Sequence, residues 1–264
     1  MAADASAPDR APRVERTTQR FGTIVVVGGG CYGSYYVRQL LRAERAEALA
    51  WTRIVVVDRD PACRVAQLPA SERPSALDVA CADWAEWFAG YLARAAAAPE
   101  AHAADAIVPS PLMPHLMADW LLSRARERWP DRVVGTAPLA AAPQVPWQRA
   151  GEDGTHYVSF AEWMCPINCV EPARCPHTRG ERSWSLPTAI ASYATEERAT
   201  GRPVEGPFVF HCAHRAFGVG MIDVRPIVDA DRAIAERGAL GRADFLVGTA
   251  SHCHGALRRL VIGD

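Results

Sequence analysis

Three cysteines stand close together in a proline-rich stretch of the C-terminal half of the chain. Cys165, Cys169 and Cys175 have the spacing C-x3-C-x5-C, and Pro166 and Pro176 each follow one of them directly. Because proline fixes φ and lacks a backbone N–H donor, a loop of this composition can bring thiolates together without regular secondary structure. Thiolates are soft ligands that bind zinc and iron–sulfur clusters. The spacing therefore predicts a metal centre at these three cysteines.

Two short motifs further along the chain carry side chains that could complete such a centre. One motif contains Cys212, the other contains Cys253, and each follows an apolar, strand-like run. Cys212 is the predicted fourth ligand, and Cys253 is the alternative. Histidines flank both cysteines, and because imidazole titrates near neutral pH, those that bind no metal are predicted to transfer protons. These predicted catalytic residues are His211, His214, His252 and His254.

The cysteine loop resembles the iron–sulfur ligand loops of proteins such as the bacterial ferredoxins, because cysteine–proline pairs lie close to other cysteines. The spacing differs from the ferredoxin run C-x2-C-x2-C, so the resemblance implies the ligand chemistry and not the fold. Zinc is the alternative metal, although structural zinc sites usually pair two cysteine knuckles and the sequence has no second C-x2-C. A structural or redox-active thiol cluster is a third option. A zinc enzyme with mixed cysteine and histidine ligands would use Glu171 as its general base.

A glycine-rich turn follows the first apolar run of the chain, residues 23–27. Gly28, Gly30 and Gly33 fit the pattern G-x-G-x-x-G, and a helical pattern comes next. In such a turn the first glycine permits the tight bend, the second lets a pyrophosphate approach the backbone, and the third lets the helix pack against the strand. The helix N-terminus also offers unpaired N–H groups to an anion. The predicted cofactor-binding residues in this turn are Gly28, Gly29, Gly30, Cys31, Tyr32 and Gly33.

A second apolar run, residues 54–57, ends at Asp58, at the point where the ribose of a dinucleotide needs a hydrogen-bond acceptor. Together with the glycine turn, this pattern resembles the Rossmann-type nucleotide-binding proteins over residues 21–138. The resemblance implies that NAD or a related adenine nucleotide binds here, with its ribose on Asp58. An acid at this position argues against the 2′-phosphate of NADP, whereas the adjacent Arg59 could accommodate it. The choice between NAD and NADP is therefore open.

These patterns predict an α/β protein with an N-terminal Rossmann-like parallel-sheet domain and a smaller C-terminal mixed α+β metal-binding domain. Five of the eight cysteines and six of the eight histidines follow residue 154. A stretch rich in proline, alanine and glycine separates the two parts and is typical of a linker. The predicted division is a disordered tail at 1–20, the Rossmann-like domain at 21–138, the linker at 139–154 and the Cys/His-rich domain at 155–264.

Periodicity predicts the elements that position these residues. Helices are expected over 34–44 and 83–95, strands at 106–108 and 132–135, and a helix start at Ser185. The strand at 132–135 is expected to be the fifth strand of the parallel sheet.

Several side chains are predicted to lie in the core. Leu112 is expected to face inward from the helix that follows strand 106–108, and Cys63 and Cys81 are expected to be small buried residues. One face of helix 83–95 is expected to pack in the core, and its residues are Trp84, Trp87, Phe88, Tyr91 and Leu92.

The composition excludes several classes of function. The chain has 264 residues and a net charge of −1, so it offers no surface typical of nucleic-acid binding. All 29 basic residues are arginine, which excludes a Schiff-base lysine and a P-loop lysine. Anionic groups must be bound by backbone N–H groups or by arginines such as Arg179, Arg182 and Arg215. No apolar run suits a bilayer span or a signal sequence, so a cytoplasmic protein with reduced cysteines is expected.

The expected function is that of an NAD-binding oxidoreductase with a cysteine-ligated iron–sulfur centre. The alternative is a zinc-stapled, nucleotide-binding sensor or regulatory protein. The expected partner is a small-molecule substrate or a redox partner protein, without nucleic acid or membrane, and a homodimer is an open option. Hydride carries two electrons and an iron–sulfur cluster transfers one, so exchange between them normally needs a flavin, and the sequence has no separate flavin motif.

Overall fold

The computed structural model describes residues 17–141, 143–163, 165–167, 169–202 and 204–264, and within them the chain is a mixed α/β protein with two mixed sheets and five helices. The strands are β1 (Gln19–Val27), β2 (Leu49–Asp58), β3 (Leu77–Cys81), β4 (Ala106–Val108), β5 (Val134–Ala137), β6 (Trp147–Ala150), β7 (His156–Ser159), β8 (Glu205–His211), β9 (Ala213–Ala216), β10 (Val219–Asp223), β11 (Ala243–Ala250) and β12 (His254–Ile262). The helices are α1 (Cys31–Arg45), α2 (Trp84–Ala97), α3 (Leu116–Arg128), α4 (Leu186–Ala199) and α5 (Val224–Gly238).

The first sheet has the strand order β3-β2-β1-β4-β10-β9. Its first four strands are parallel, with Val26 of β1 beside Val56 of β2 and Val108 of β4. The last two strands run antiparallel to their neighbours, β10 to β4 and β9 to β10. β1 and β2 are continuous apolar runs at their carboxyl ends because helices cover both faces of this sheet. The glycine turn therefore leaves the sheet at the edge where the parallel strands end.

The second sheet has the strand order β6-β7-β12-β11-β8, and β5 also pairs with β12. The prediction that residues 132–135 add a fifth strand to the parallel sheet was wrong. The strand there is Val134–Ala137, and it lies antiparallel to β12 in the second sheet. A short apolar run encodes an extended segment but not its partner, and β10 occupies the free edge of β4 instead.

The sheets do not separate at residue 138, because β9 and β10 join the first sheet and β5 joins the second. β6 lies within the stretch that the sequence indicates as a linker. The division of the chain into domains stays a prediction.

Helices α2, α3 and α5 fill the space between the sheets and form the largest apolar core with both of them. Successive residues of β1 face opposite sides, so that Val25 and Val27 contact this core while Ile24 and Val26 contact the core beneath α1. Helix α4 covers the outer face of the second sheet. The layer order is therefore α1, first sheet, three helices, second sheet, α4. Among the described residues, no helix combines the length and apolar character needed to cross a bilayer.

The structure confirms some of the finer expectations and corrects others. The aromatic face of α2 is part of the central core, α4 follows Ser185 as its N-cap, and Cys63 is buried. Cys81 is exposed at the end of an outer strand, and Leu112 is 71% exposed because it precedes α3 by four residues. Residues 1–16 of the expected tail lie outside the described residues, and residues 19–20 belong to β1.

An ion network around the buried Arg258 fixes β12 against α3 and the turn before β7. The Arg258 side chain is 6% exposed, pairs with Asp119 and Asp153, and donates to Thr155 Oγ1 at 2.8 Å. We expect Arg258→Ala to lower the free energy of unfolding by about 1 to 2 kcal/mol, because it removes a buried side chain and its hydrogen bond to Thr155. The Asp119 and Asp153 side chains are 43% and 45% exposed, so both carboxylates stay solvated without their cation. Urea unfolding measures this change. Arg149→Ala is the control, since Arg149 is exposed on β6, and should change stability by less than about 0.5 kcal/mol.

The same network makes stability depend on acid pH. Burial raises the pKa of Asp153, but hydrogen bonds from Thr155 and from Arg258 outweigh it and lower the pKa from 3.8 to about 2. A carboxyl group whose folded pKa is depressed stabilises the fold above its unfolded pKa and loses that effect as the pH falls through the folded pKa. We expect wild-type protein to lose this contribution between about pH 4 and pH 2 and Arg258→Ala to show a shallower decline. Equal slopes would contradict the assignment.

Candidate functional site

The glycine turn between β1 and α1 places three glycines under different constraints. Gly28 has φ +84°, a left-handed conformation that side chains rarely adopt. A Cβ on Gly33 would lie 1.8 Å from the carbonyl oxygen of Gly28, so only glycine lets α1 pack this closely on β1. A Cβ on Gly30 would meet no atom within 4 Å. The turn is therefore closely packed where Gly33 meets Gly28 and open to solvent at Gly30.

The N-terminus of α1 has the features of an anion site. Gly30 is its N-cap and provides no side-chain hydrogen bond, and the first turn contains no acidic residue. The first hydrogen bond of the helix runs from Ser34 N to Gly30 O at 2.9 Å. The N–H groups of Cys31, Tyr32 and Gly33 therefore precede the helical ladder, and both Cys31 and Tyr32 are exposed.

Asp58, the predicted ribose acceptor, ties the end of β2 to this turn. Its two carboxylate oxygens accept hydrogen bonds from Gly29 N at 2.6 Å and from Asp60 N at 2.9 Å. A carboxylate oxygen has two lone pairs, so each oxygen can accept one more bond. The neighbouring Arg59 pairs with Asp83 and lies over the ring of Trp84.

Four cysteines line one small cavity in the C-terminal half. They are Cys165, Cys169, Cys175 and Cys253. The first three come from the proline-rich loop, and Cys253 comes from the turn between β11 and β12. That turn is held against β7 by a hydrogen bond from Phe160 N to Cys253 O at 2.9 Å. The structure thus brings the predicted trio together with the alternative fourth cysteine.

Each of the four sulfur atoms has an N–H donor beside it, which for Cys165 is the Trp163 side chain. Glu171 N donates to Cys169 Sγ at 3.4 Å, and Trp184 Nε1 donates to Cys253 Sγ at 3.3 Å. Backbone N–H groups of Thr178 and His177 do the same for Cys175 and lower the pKa of its thiol. Such bonds stabilise thiolates and tune the potential of metal centres that thiolates ligate.

Burial and neighbouring thiols raise the pKa of Cys165. Burial first, and then the neighbouring Cys169 and Cys253, raise the pKa of Cys165 to about 11. Burial raises the pKa of Cys253 as well. Thiolates that share a desolvated cavity repel each other, and a bound cation removes that penalty.

The size of the cavity limits what it can hold in this conformation. Its volume is about 20 Å³, close to the space that one water molecule occupies. Within the described ranges, no three His, Cys, Asp or Glu side chains are placed so that they could hold one metal ion. Any metal centre at the four cysteines therefore requires the thiols to turn from their present positions.

Cys212, the predicted fourth ligand, is not among the residues that line the cavity. Its backbone N–H donates to Ala250 O at 2.8 Å, and its sulfur would lie 2.6 Å from a Cβ on Gly220. Burial, and then the nearby carboxylate of Glu171, raise the pKa of its thiol to about 12. Tyr36 of α1 also lies near it. Cys212 therefore lies between α1 and the histidines.

Glu171 is the residue that connects the cysteine cavity to the histidines. It lines the cavity, and its carboxylate accepts a hydrogen bond from His252 N at 3.3 Å. Burial raises its pKa, but the Ser251 hydroxyl and the nearby His214 outweigh burial and lower the pKa overall. Its φ of 47° lies in the left-handed region, a strained conformation that clusters at functional sites.

All four predicted catalytic histidines lie around this carboxylate. The rings of His211 and His252 meet edge to face, with centroids 4.9 Å apart. Burial, followed by His252, lowers the pKa of His211, and burial lowers the pKa of His254. Both imidazoles are therefore neutral at pH 7. His211 Nε2 and His252 Nδ1 are buried and have no hydrogen-bond partner within the part of the chain that the structure describes.

The histidine group also reaches the first sheet. His214 on β9 pairs with Gly220 of β10, and its Nδ1 lies 2.5 Å from Cys169 O. Since Ile222 of β10 pairs with Ile107 of β4, Gly220 lies beyond the carboxyl end of β4. The glycine turn leaves β1 at that same edge. β9 therefore spans the distance between the glycine turn and the cysteine loop.

Sequence reasoning placed the glycine turn and the cysteine trio but did not find the central position of Glu171. No spacing signal connects that residue with histidines 40 to 83 positions away. The sequence predicts Cys212 as the fourth ligand ahead of Cys253. Their positions in the sequence do not distinguish them, because each cysteine follows an apolar strand. Trp184, which donates to Cys253, carried no signal in the sequence.

Comparison with known proteins gives one match. Residues 117–263, more than half of the chain, match the family model AF_1314_C, described as "Uncharacterized protein, C-terminal domain". A comparison with curated proteins found no match, and a comparison with solved structures found none. The matched range contains the four cavity cysteines, Glu171 and the four histidines, and it begins after the glycine turn. The chain belongs to the AF_1314_C family.

Proposed function

We propose that the protein is an NAD(H)-binding oxidoreductase with an iron–sulfur centre held by Cys165, Cys169, Cys175 and Cys253. The observation that carries the proposal is the convergence of these four cysteines on one cavity that shares Glu171 with four histidines. Four thiolates are the usual ligand set of [2Fe–2S] and [4Fe–4S] clusters. When bound, such a cluster supplies one-electron transfer.

The environment of the thiols supports a cluster. N–H donors lie beside all four sulfur atoms, and Pro166, Pro172 and Pro176 form much of the remaining lining. Four sulfurs around a single zinc would lie within roughly 4 Å of each other, and the described side chains do not form such a single-ion site. A cluster holds its ligands farther apart, so it needs less convergence of the thiols, but the cavity of about 20 Å³ would have to widen to admit it.

The first sheet supports a Rossmann-like nucleotide site. The parallel order β3-β2-β1-β4 is the order of one half of the Rossmann fold together with the first strand of the other half. Gly30 leaves open space above the N-terminus of α1, and Asp58 lies at the turn with acceptor capacity left. NAD(H), when bound, supplies hydride transfer. Because Arg59 is engaged by Asp83 and Trp84, this arrangement favours NAD over NADP.

The histidines and Glu171 would exchange the protons that accompany electron transfer. Glu171 is ionised and accepts hydrogen bonds, and His211 and His254 are neutral, so protons can be taken up next to the cavity. Asp58 would orient the nucleotide, and the histidines and Glu171 would hold and move protons.

Iron and acid-labile sulfide analysis, with a visible spectrum of protein purified without oxygen, tests the cluster. NADH is then added with and without FAD, because a flavin normally joins hydride and one-electron carriers. We expect brown protein whose colour fades when NADH is added, with FAD accelerating the change. Colourless protein without iron would overturn the proposal.

A zinc-stapled, nucleotide-binding regulator is the second candidate function. The cavity volume of about 20 Å³ favours it, because that space suits a single ion better than a cluster. This candidate predicts about one zinc per chain, no iron and no spectral response to NADH. The same metal analysis therefore decides between the two functions.

Removing the charge of Glu171 should slow turnover without loss of the metal. We expect Glu171→Gln to lower the rate of NADH oxidation with ferricyanide as acceptor about 100-fold, because the base beside the cavity is lost. Glu162→Gln is the matched control, since Glu162 is exposed and lies nine positions before Glu171 in the chain. Equal rates in both variants, at equal iron content, would remove Glu171 from the mechanism.

A further inference from the structure

A second pocket lies beside the cysteine cavity and carries a concentration of positive charge. The tight hairpin from Ala173 to Arg182 lines an open groove of about 510 Å³, and we call this space the arginine pocket. Its basic residues are Arg174, Arg179 and Arg182, and its acidic residue is Glu181. Backbone hydrogen bonds close the hairpin, from Arg182 N to Ala173 O at 2.6 Å and from Cys175 N to Gly180 O at 2.9 Å.

Among the described residues, the guanidinium groups of the arginine pocket have no carboxylate partners, and one of the three is fixed by a backbone acceptor. Arg174 Nε donates to Arg179 O at 2.6 Å, which fixes its orientation. Across the described ranges, none of the three arginines forms an ion pair, although many other arginines of the chain do. Three arginines against the single carboxylate of Glu181 leave a net positive charge on one concave surface, and that charge attracts anions.

Arg182 adds a buried donor to this charge. Its Nη1 is buried and has no hydrogen-bond partner among the described residues. A buried charged donor without an acceptor costs free energy. The atom is shut off from solvent in this conformation, so a ligand oxygen in the arginine pocket would reach it only after the Arg182 side chain turns outward, and that contact would remove the cost.

We propose that the arginine pocket binds a small oxyanion, a phosphate or carboxylate group, through Arg174, Arg179 and Arg182. Guanidinium groups suit this ligand because their planar donors match phosphate and carboxylate oxygens in pairs. In a protein without lysine, arginine is the only side chain that offers a permanent charge for the purpose. Arg179 has φ 57°, a left-handed backbone conformation that is strained for a residue other than glycine. Strained residues of this kind cluster at ligand-binding sites.

The position of Arg182 connects the anion to the redox site. Arg182 lines both the arginine pocket and the cysteine cavity. An oxyanion bound to Arg182 would lie against the wall of the cysteine cavity. If the anion is part of the substrate, this contact would hold the substrate beside the metal centre. The identification of the anion as substrate rests on the proposed function, whereas its binding does not.

Calorimetric titration of the full chain with inorganic phosphate tests the pocket. We expect Arg179→Gln and Arg182→Gln each to weaken binding about tenfold or more, and Arg182→Lys to bind with intermediate affinity. Arg149→Gln, which removes one exposed arginine from β6, should bind phosphate like wild type. Thermal unfolding of each variant checks the fold, and Arg179 is exposed on the hairpin, so its replacement leaves the core intact.

Two outcomes would overturn the arginine pocket. Phosphate affinity that is unchanged in both glutamine variants but lost in Gly30→Asp would assign the anion to the N-terminus of α1. Equal weakening by Arg149→Gln would indicate only general charge attraction. Metal content measured on the same samples separates the two proposals, because anion binding can persist in zinc protein, and iron can persist without anion binding.

Discussion

Cys253→Ser is expected to remove most of the bound iron and visible absorbance, whereas Cys212→Ser is expected to retain both. Cys253 lines the cavity of the cysteine trio, and Cys212 lies outside that lining beside Gly220. Serine keeps the size of cysteine but replaces a soft ligand by a poor one for iron. The two variants therefore form a matched pair, with the same chemical change at two cysteines that follow neighbouring strands.

Iron, sulfide and zinc content after anaerobic purification measure this prediction, and circular dichroism verifies the fold. Cys165→Ser, Cys169→Ser and Cys175→Ser should lose metal as Cys253→Ser does. Cys81→Ser serves as a control because Cys81 is exposed at the edge of the first sheet. Loss of metal in Cys212→Ser with retention in Cys253→Ser would reverse the assignment of the fourth ligand.

Gly30→Asp is expected to weaken NADH binding at least about 100-fold without unfolding the protein. The added Cβ meets no atom within 4 Å, and Gly30 is the N-cap of a helix that has no side-chain cap. Aspartate is a preferred N-cap residue, so its carboxylate would accept the N–H groups that a pyrophosphate needs and would repel the anion. Stability should stay within about 1 kcal/mol of wild type.

Fluorescence titration of NADH and thermal unfolding measure these two effects on the same samples. Gly30→Ala is the matched control, since it adds the Cβ without the charge and should weaken binding less. Gly33→Ala should behave differently, because its Cβ would lie 1.8 Å from Gly28 O and must displace α1 from β1. NADH affinity equal to wild type in Gly30→Asp would remove the nucleotide from this turn.

Local features of the fold were predictable because neighbouring residues encode them. The alternation of Ile24, Val25, Val26 and Val27 between two cores, the glycine turn and the aromatic face of α2 all depend on residues within a few positions. The cysteine trio is equally local, since three residues within one short loop can meet only near each other. For these features, the spacing of residues in the sequence is enough to predict their relative positions in the structure.

Strand partners were not predictable from such patterns. The run at 132–137 has the composition of a strand, but its place beside β12 depends on a segment more than 115 residues further on. The pairing of β10 with β4 is also long-range. The packing of α5 in the central core brings β10 to the free edge of β4. Long-range pairing is chosen by burial over the whole molecule.

The fourth cysteine shows what only the tertiary structure decided. Cys212 and Cys253 follow strands that lie side by side, with His211 of β8 paired to Ala250 of β11, and their sequence contexts are alike. β8 continues into β9 and carries Cys212 toward the first sheet, whereas β11 turns back at Ser251 and points Cys253 into the cysteine loop. The sequence determined which residue types could bind a metal or a nucleotide. The direction of the chain after each strand decided which of them meet, because packing between distant segments sets that direction.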